Sequence, residues 1–137
     1  MAGNDNERRF WRANWLGSIQ EFADGDTQRR MWLDLSNTNP HFSFVEYLCC
    51  YFDDLGLSDG GYEAALKENF VSAHEVAAVA DFHRIACDYK SPTEDCDHEG
   101  ILSDPKWAEL VAAAQSAQSA LCNLIDDPDE RKLLVRP

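Results

Sequence analysis

The chain has 137 residues, 45% hydrophobic and 27% charged, with fifteen aromatics and only twelve Gly and Pro together. This fits one folded domain and excludes a disordered, collagen-like or low-complexity chain. Twelve Lys and Arg stand against 25 Asp and Glu, a net charge of −13 that argues against direct nucleic-acid or membrane-surface binding.

Residues 1–12 are polar and charged, unlike a secretory leader, and no apolar run approaches the ~20 residues of a membrane-spanning helix. The expected compartment is the cytoplasm. Trp11, Trp15, Ile19 and Phe22 recur at i, i+4, i+8 and i+11, which predicts an amphipathic helix. Asp24-Gly25-Asp26 ends it. A shorter helix over 27–35 is expected to bury Met31, Trp32 and Leu35, and 36–40 reads as a loop.

Ser43-Phe44-Val45-Glu46 is a capping box that opens a third helix, with Phe42 and Tyr47 placed as a hydrophobic staple. Phe44, Leu48, Tyr51, Phe52 and Leu55 form its buried stripe, and Gly56 stops it. Glu46 and Asp53 project from the opposite face, with Asp54 at its margin. After a turn over 58–61, residues 62–70 read as a short helix. Ser72-Ala73-His74-Glu75 is a second capping box, stapled by Val71 and Val76. It opens a helix that reaches about Tyr89 and stops before Pro92. Residues 91–103 read as the longest loop. Asp104 then caps a helix with Pro105 in its first position. That helix runs to about Ile125 and buries Trp107, Leu110, Val111, Ala114, Leu121 and Ile125. Asp126-Asp127-Pro128 breaks the chain before the Leu133-Leu134-Val135 tail. The expected fold is all-α, a single domain of about six helices over residues 1–137, with a long loop near 91–103.

The placement of charge says more than its sum. Residues 1–30 hold five arginines and five acids, so the excess lies in residues 31–137. No Lys or Arg occurs between Arg30 and Lys67, a stretch that carries Asp34, Glu46, Asp53, Asp54, Asp59 and Glu63. A second base-free stretch, 91–105, carries Glu94, Asp95, Asp97, Glu99 and Asp104. The expected binding face comprises Glu46, Asp53, Asp54 and Asp59, extended by Glu94, Asp95, Asp97 and Glu99. Its partner would be a basic protein. Solubility alone is the competing account of the same charge.

Sites of chemistry are sparse. Five cysteines, an odd number with no Cys-x-x-Cys spacing, read as reduced thiols, with Cys87 and Cys122 as small core residues. His83 lies in the apolar arc with Val76, Val79 and Ala86. It reads as a hydrogen-bonded core histidine, with a base or metal ligand as the alternative. His74 reads as a surface residue, since Ala78 at i+4 breaks the His-Glu-x-x-His zinc pattern. Asp95, Asp97 and Glu99 precede Gly100 as in the first half of a calcium loop, but Lys106 stands where a bidentate Glu is required. No cofactor or metal is therefore expected, with weak chelation through Cys96 and His98 as the alternative. Arg8 and Arg12 flank Trp11 and Trp15. In this charge context they read as cations that snorkel or pair with a carboxylate of the acidic segment, rather than as a nucleic-acid stack. Catalytic signatures such as Gly-x-Ser-x-Gly, a phosphate loop or a dinucleotide fingerprint are absent, so an enzyme is not expected.

Asp81-Phe82-His83, Tyr89 and the run Ile101-Leu102-Ser103-Asp104-Pro105-Lys106-Trp107, followed by an Ala-rich helix, complete a small, acidic, helical chain. In this general character, and in its second half, the sequence resembles the small acidic immunity proteins of bacterial toxin–immunity systems. The resemblance implies a protein that binds and blocks a basic, nuclease-like toxin without catalysis. A helical adaptor or chaperone-like module is the alternative, and a metal-binding enzyme using His83 or the 95–99 loop is a third.

Overall fold

In the computed structural model, which describes residues 2–58 and 60–135 and side chains from residue 5 onward, every regular element is helical. The first, α1, spans Ala2–Ala23 and turns Trp15, Leu16, Ile19 and Phe22 into the core. The Asp24 carboxylate accepts the Thr27 amide at 3.1 Å and so caps α2, Gly25–Trp32. The buried Gln28 amide donates to the carbonyls of Glu21 (2.9 Å) and Phe22 (3.1 Å) in the last turn of α1. Its own Oε1 accepts the Trp107 indole at 3.0 Å, which ties both helices to a third.

The second helix is shorter than expected. The Asp34 carboxylate accepts both the Ser36 amide (3.0 Å) and hydroxyl (2.6 Å), a local bond that competes with helix continuation. Trp32 is buried, but Leu35 is 100% exposed rather than in the core. Ser43 caps α3, Phe44–Leu48, by accepting the Glu46 amide at 3.1 Å. The helix then widens into a π-helical turn, Cys49–Asp53, which buries Tyr51 and leaves Asp53 and Asp54 in solvent. Gly56, at φ +69°, closes it in a conformation that favours glycine.

A single turn, α4 (Glu63–Lys67), leads to α5, Ala73–Asp88. Here both halves of the capping box form: Ser72 Oγ accepts the Glu75 amide at 3.1 Å, and Glu75 Oε1 accepts the Ser72 amide at 2.9 Å. Residues 91–103 are not all loop. Asp97 caps a further turn, α6 (His98–Leu102), which buries Ile101 and Leu102. Asp104 and Pro105 start α7, Pro105–Leu124, which at 20 residues is about 30 Å long. The tail forms α8, Pro128–Val135, with Leu134 fully buried. The described residues thus make eight α-helices rather than six. The two additional ones exist because tertiary contacts bury Ile101, Leu102 and Leu134.

Helix α7 packs against α5 and α1, and α8 lies on α1. Ala114 and Ala117 are buried on α7, where small side chains permit close approach of its neighbours. An aromatic cluster of Phe22, Tyr47, Tyr51, Phe82 and Trp107 fills the centre in edge and tilted contacts. Each such side chain contributes roughly 1.5–3 kcal/mol by leaving water.

Candidate functional site

Helix α1 sorts its side chains by face. Glu7, Phe10, Trp11, Asn14, Ser18 and Glu21 recur at helical spacing and line one side of a cleft of about 650 Å³. Leu55, Phe70, His41, Cys50 and Asp54 also line it. The Trp11 indole donates to the Leu55 carbonyl at 3.1 Å and stacks on Phe70 at 5.5 Å between centroids, which fixes the floor. Phe10, 73% exposed, stands open at the side. Three carboxylates, Glu7, Glu21 and Asp54, line this space together with one base, His41, which pairs with Glu21. Cys50 adds no charge near neutral pH: burial, then Asp54, push its thiol up to about 11.

The arginines of the same helix face elsewhere. Arg8 donates to the Asn69 carbonyl at 2.9 Å. Arg12, only 2% exposed, is held by both oxygens of Glu75 and both of Glu130 and also donates to the Phe70 carbonyl. Its guanidinium carbon lies 5.5 Å from the Trp15 ring centroid. Arg12 therefore pairs with carboxylates of α5 and α8, not with the base-free acidic stretches. Burial would lower its pKa, but the two carboxylates outweigh burial and raise it. Residues 1–30 look neutral in sequence, yet the fold distributes their charge unevenly: Glu7 and Glu21 line the cleft, which no arginine lines, Arg12 is buried among carboxylates, and Arg8, Arg9, Arg29 and Arg30 are exposed.

The expected binding residues fall into two groups. Asp53 and Asp54 are exposed at the end of the π turn, and Glu46 is half-exposed on α3. Glu94, Asp95, Asp97 and Glu99 are exposed around α6. His98 joins this segment to the start of α3: its Nδ1 lies 3.2 Å from the Trp32 carbonyl, and its Nε2 accepts the Phe44 amide at 3.4 Å. The 94–99 segment thus meets the Glu46 end of α3. Asp53 and Asp54 lie seven and eight residues further on, so about 10–12 Å away along a helix. None of these seven residues forms an ion pair with a described residue. Asp59 lies outside the described residues.

The calcium-like half loop has a different use. Asp97 accepts the Gly100 amide on Oδ1 (3.1 Å) and the Thr93 hydroxyl on Oδ2 (3.0 Å), so both oxygens serve the α6 cap. A side chain on Gly100 would meet Thr93 at 2.8 Å, which accounts for the glycine. His98 points into the fold, away from chelation with Cys96. Among the described residues, no group of three His, Cys, Asp or Glu is arranged to hold a metal ion.

His83 is half-buried and terminates a hydrogen-bond chain. The Trp15 indole donates to the Tyr62 hydroxyl (2.8 Å), the two tyrosine hydroxyls lie 2.7 Å apart, and Tyr51 reaches His83 Nδ1 at 2.8 Å. Indole can only donate. Tyr62 therefore accepts from Trp15, while either partner can donate in the Tyr62–Tyr51 and Tyr51–His83 bonds. His83 Nε2 lies 3.5 Å from Cys87 Sγ. Burial lowers the His83 pKa, which favours the neutral form. Cys87 itself is exposed, not a core residue, because it lies at the solvent margin of α5. His74 is exposed, as expected.

No protein-family model, curated protein or solved structure matches the chain. No described helix is long and apolar enough to cross a membrane. The contribution of Glu7, Phe10 and Glu21 to the cleft is hidden from a linear reading, since a charge count over 1–30 conceals which face each residue takes. Their 3,4 spacing with Trp11 and Ser18 was the available signal.

Proposed function

We propose that the protein is a non-catalytic binding module that covers a basic protein partner with its acidic face. The best specific reading is an inhibitor of the immunity type that neutralises a basic, nuclease-like toxin. Nucleases present basic clefts to a polyanionic substrate, and an acidic cover gains steering and complementarity against such a cleft. The observation that carries this reading is acid that no base neutralises: Glu46, Asp53, Asp54, Glu94, Asp95, Asp97 and Glu99 form no ion pair with a described residue, and all but the half-exposed Glu46 are exposed. Arg12 is held inside the fold by its two carboxylates, and Arg8 and Arg29 donate to the Asn69 and Leu102 carbonyls rather than to these acids.

The test is to capture the native partner with the full chain and follow association by stopped flow as salt rises. Steering is screened over a Debye length of ~8 Å at physiological ionic strength. The on-rate should fall by about tenfold or more between low salt and about 0.5 M. Replacing Asp53 and Asp54 together by Lys should lower the on-rate and leave the helical spectrum intact, since both are exposed. Salt-independent association, or an unchanged rate in the double variant, overturns the acidic-face reading.

A further inference from the structure

We propose that the cleft along α1 is the seat of a cationic segment of the protein partner, one that inserts a large apolar side chain between flanking lysines or arginines. This rests on the acidic-face reading and names the part of the partner that reaches it. The floor is apolar and aromatic: Trp11 and Phe70 stacked, Leu55 beside them, and Phe10 standing 73% exposed at the side. A volume of about 650 Å³ is that of a pocket that takes several side-chain groups. Exposed aromatic surface of this kind marks anchoring sites at interfaces, and its ring faces also receive Arg and Lys.

The rim decides the sign of the occupant. Glu7, Glu21 and Asp54 line the cleft, no Lys or Arg does, and the one base, His41, is engaged by Glu21. An anionic segment would meet three carboxylates across an apolar floor. A second copy of this chain is repelled as well, because it carries the same charge of −13. Asp54 belongs both to this rim and to the acidic face, so one partner segment can leave the face and enter the cleft without crossing a basic surface.

The test uses the isotope-labelled full chain and three synthetic peptides. The first is amphipathic and built of Lys, Leu and Trp. The second has the same composition, scrambled so that no apolar face forms. The third carries Glu for every Lys. The first should move the Trp11 indole, Gly17 and Leu55 signals and bind about tenfold more tightly than the others. Phe10→Ser and Glu7→Lys, both at exposed positions, should each weaken it about fivefold or more with helicity retained. Equal binding of the scrambled or acidic peptide, or no effect of Phe10→Ser, overturns the proposal. So does benzyltrimethylammonium binding as tightly as the peptide, which would assign the cleft to small cations. Signals that move only at Asp53 and over 94–99 overturn the cleft and leave the acidic face standing. The cleft alone also falls if no peptide binds while association of the native partner still slows with salt. Absence of both peptide binding and salt dependence removes both readings.

Discussion

Glu75 holds both terminal nitrogens of the Arg12 guanidinium, at 2.9 and 2.7 Å, while the same carboxylate caps its own helix by accepting the Ser72 amide. One side chain thereby starts α5 and pins it to α1, and Glu130 closes the triad by drawing in α8. Such a network adds little net stability over an apolar replacement, but breaking it leaves a charge buried and unpaired. Arg12→Met should therefore destabilise the protein by about 3–5 kcal/mol in urea titration. A smaller cost is expected when Arg12, Glu75 and Glu130 are replaced together by apolar residues of similar volume.

The acid limb of stability should report the same triad. Burial raises the Glu75 carboxyl, but hydrogen bonds from Arg12 and the Ser72 amide and the charge of Arg12 outweigh it and hold its pKa below the ordinary value. A depressed carboxylate gives stability that is present above the unfolded pKa of ~4.3 and lost as pH falls through the folded value. The wild-type protein should lose stability on acidification below about pH 4.3, and Glu75→Gln should flatten that part of the curve in chemical denaturation at stepped pH.

His83 acts in the opposite chemical sense with the same pH direction. Its pKa is lowered by burial, so the unfolded chain binds its proton first as pH falls. Stability should decline as pH drops below the unfolded value of ~6.5 and level off below the folded one. Histidine NMR titration of the folded protein should place His83 below the unfolded value. Tyr51→Phe removes the hydroxyl between Tyr62 and His83 and should cost about 1–3 kcal/mol through the two unpaired groups it leaves.

His98→Ala should loosen the seam between α6 and α3. The variant loses contacts to the Trp32 carbonyl and the Phe44 amide, together with a ring contact to Trp32 at 5.1 Å. Hydrogen exchange at the Phe44 amide should speed up, with a global loss of about 1–3 kcal/mol.

Two leucines should separate sharply. Leu35→Asp should change stability by less than about 0.5 kcal/mol, because the side chain is 100% exposed. Leu134→Ala should cost about 2–5 kcal/mol, because Leu134 is the fully buried anchor of α8. Thermal or urea unfolding of the two variants decides this.

Local chemistry in the chain determined the all-helical class and most helix starts. Ser43, Ser72 and Asp104 cap where their hydroxyls and carboxylate predict, and Trp15, Ile19 and Phe22 share one buried face because their spacing follows the helical period. Gly56 ends its helix by the positive φ that its missing side chain permits. The tertiary structure decided what depends on partners remote in sequence. Leu35 leaves the core because Asp34 binds Ser36 instead of continuing the helix, and α6 and α8 form because Ile101 and Leu134 find core to bury in. The Arg12 carboxylates lie 63 and 118 residues away, beyond any local pattern. The cleft belongs to this second kind: Phe10 and Glu21 become neighbours of Leu55 and Phe70 only when α1 packs against the end of the π turn, and net charge along the chain carries no record of that face.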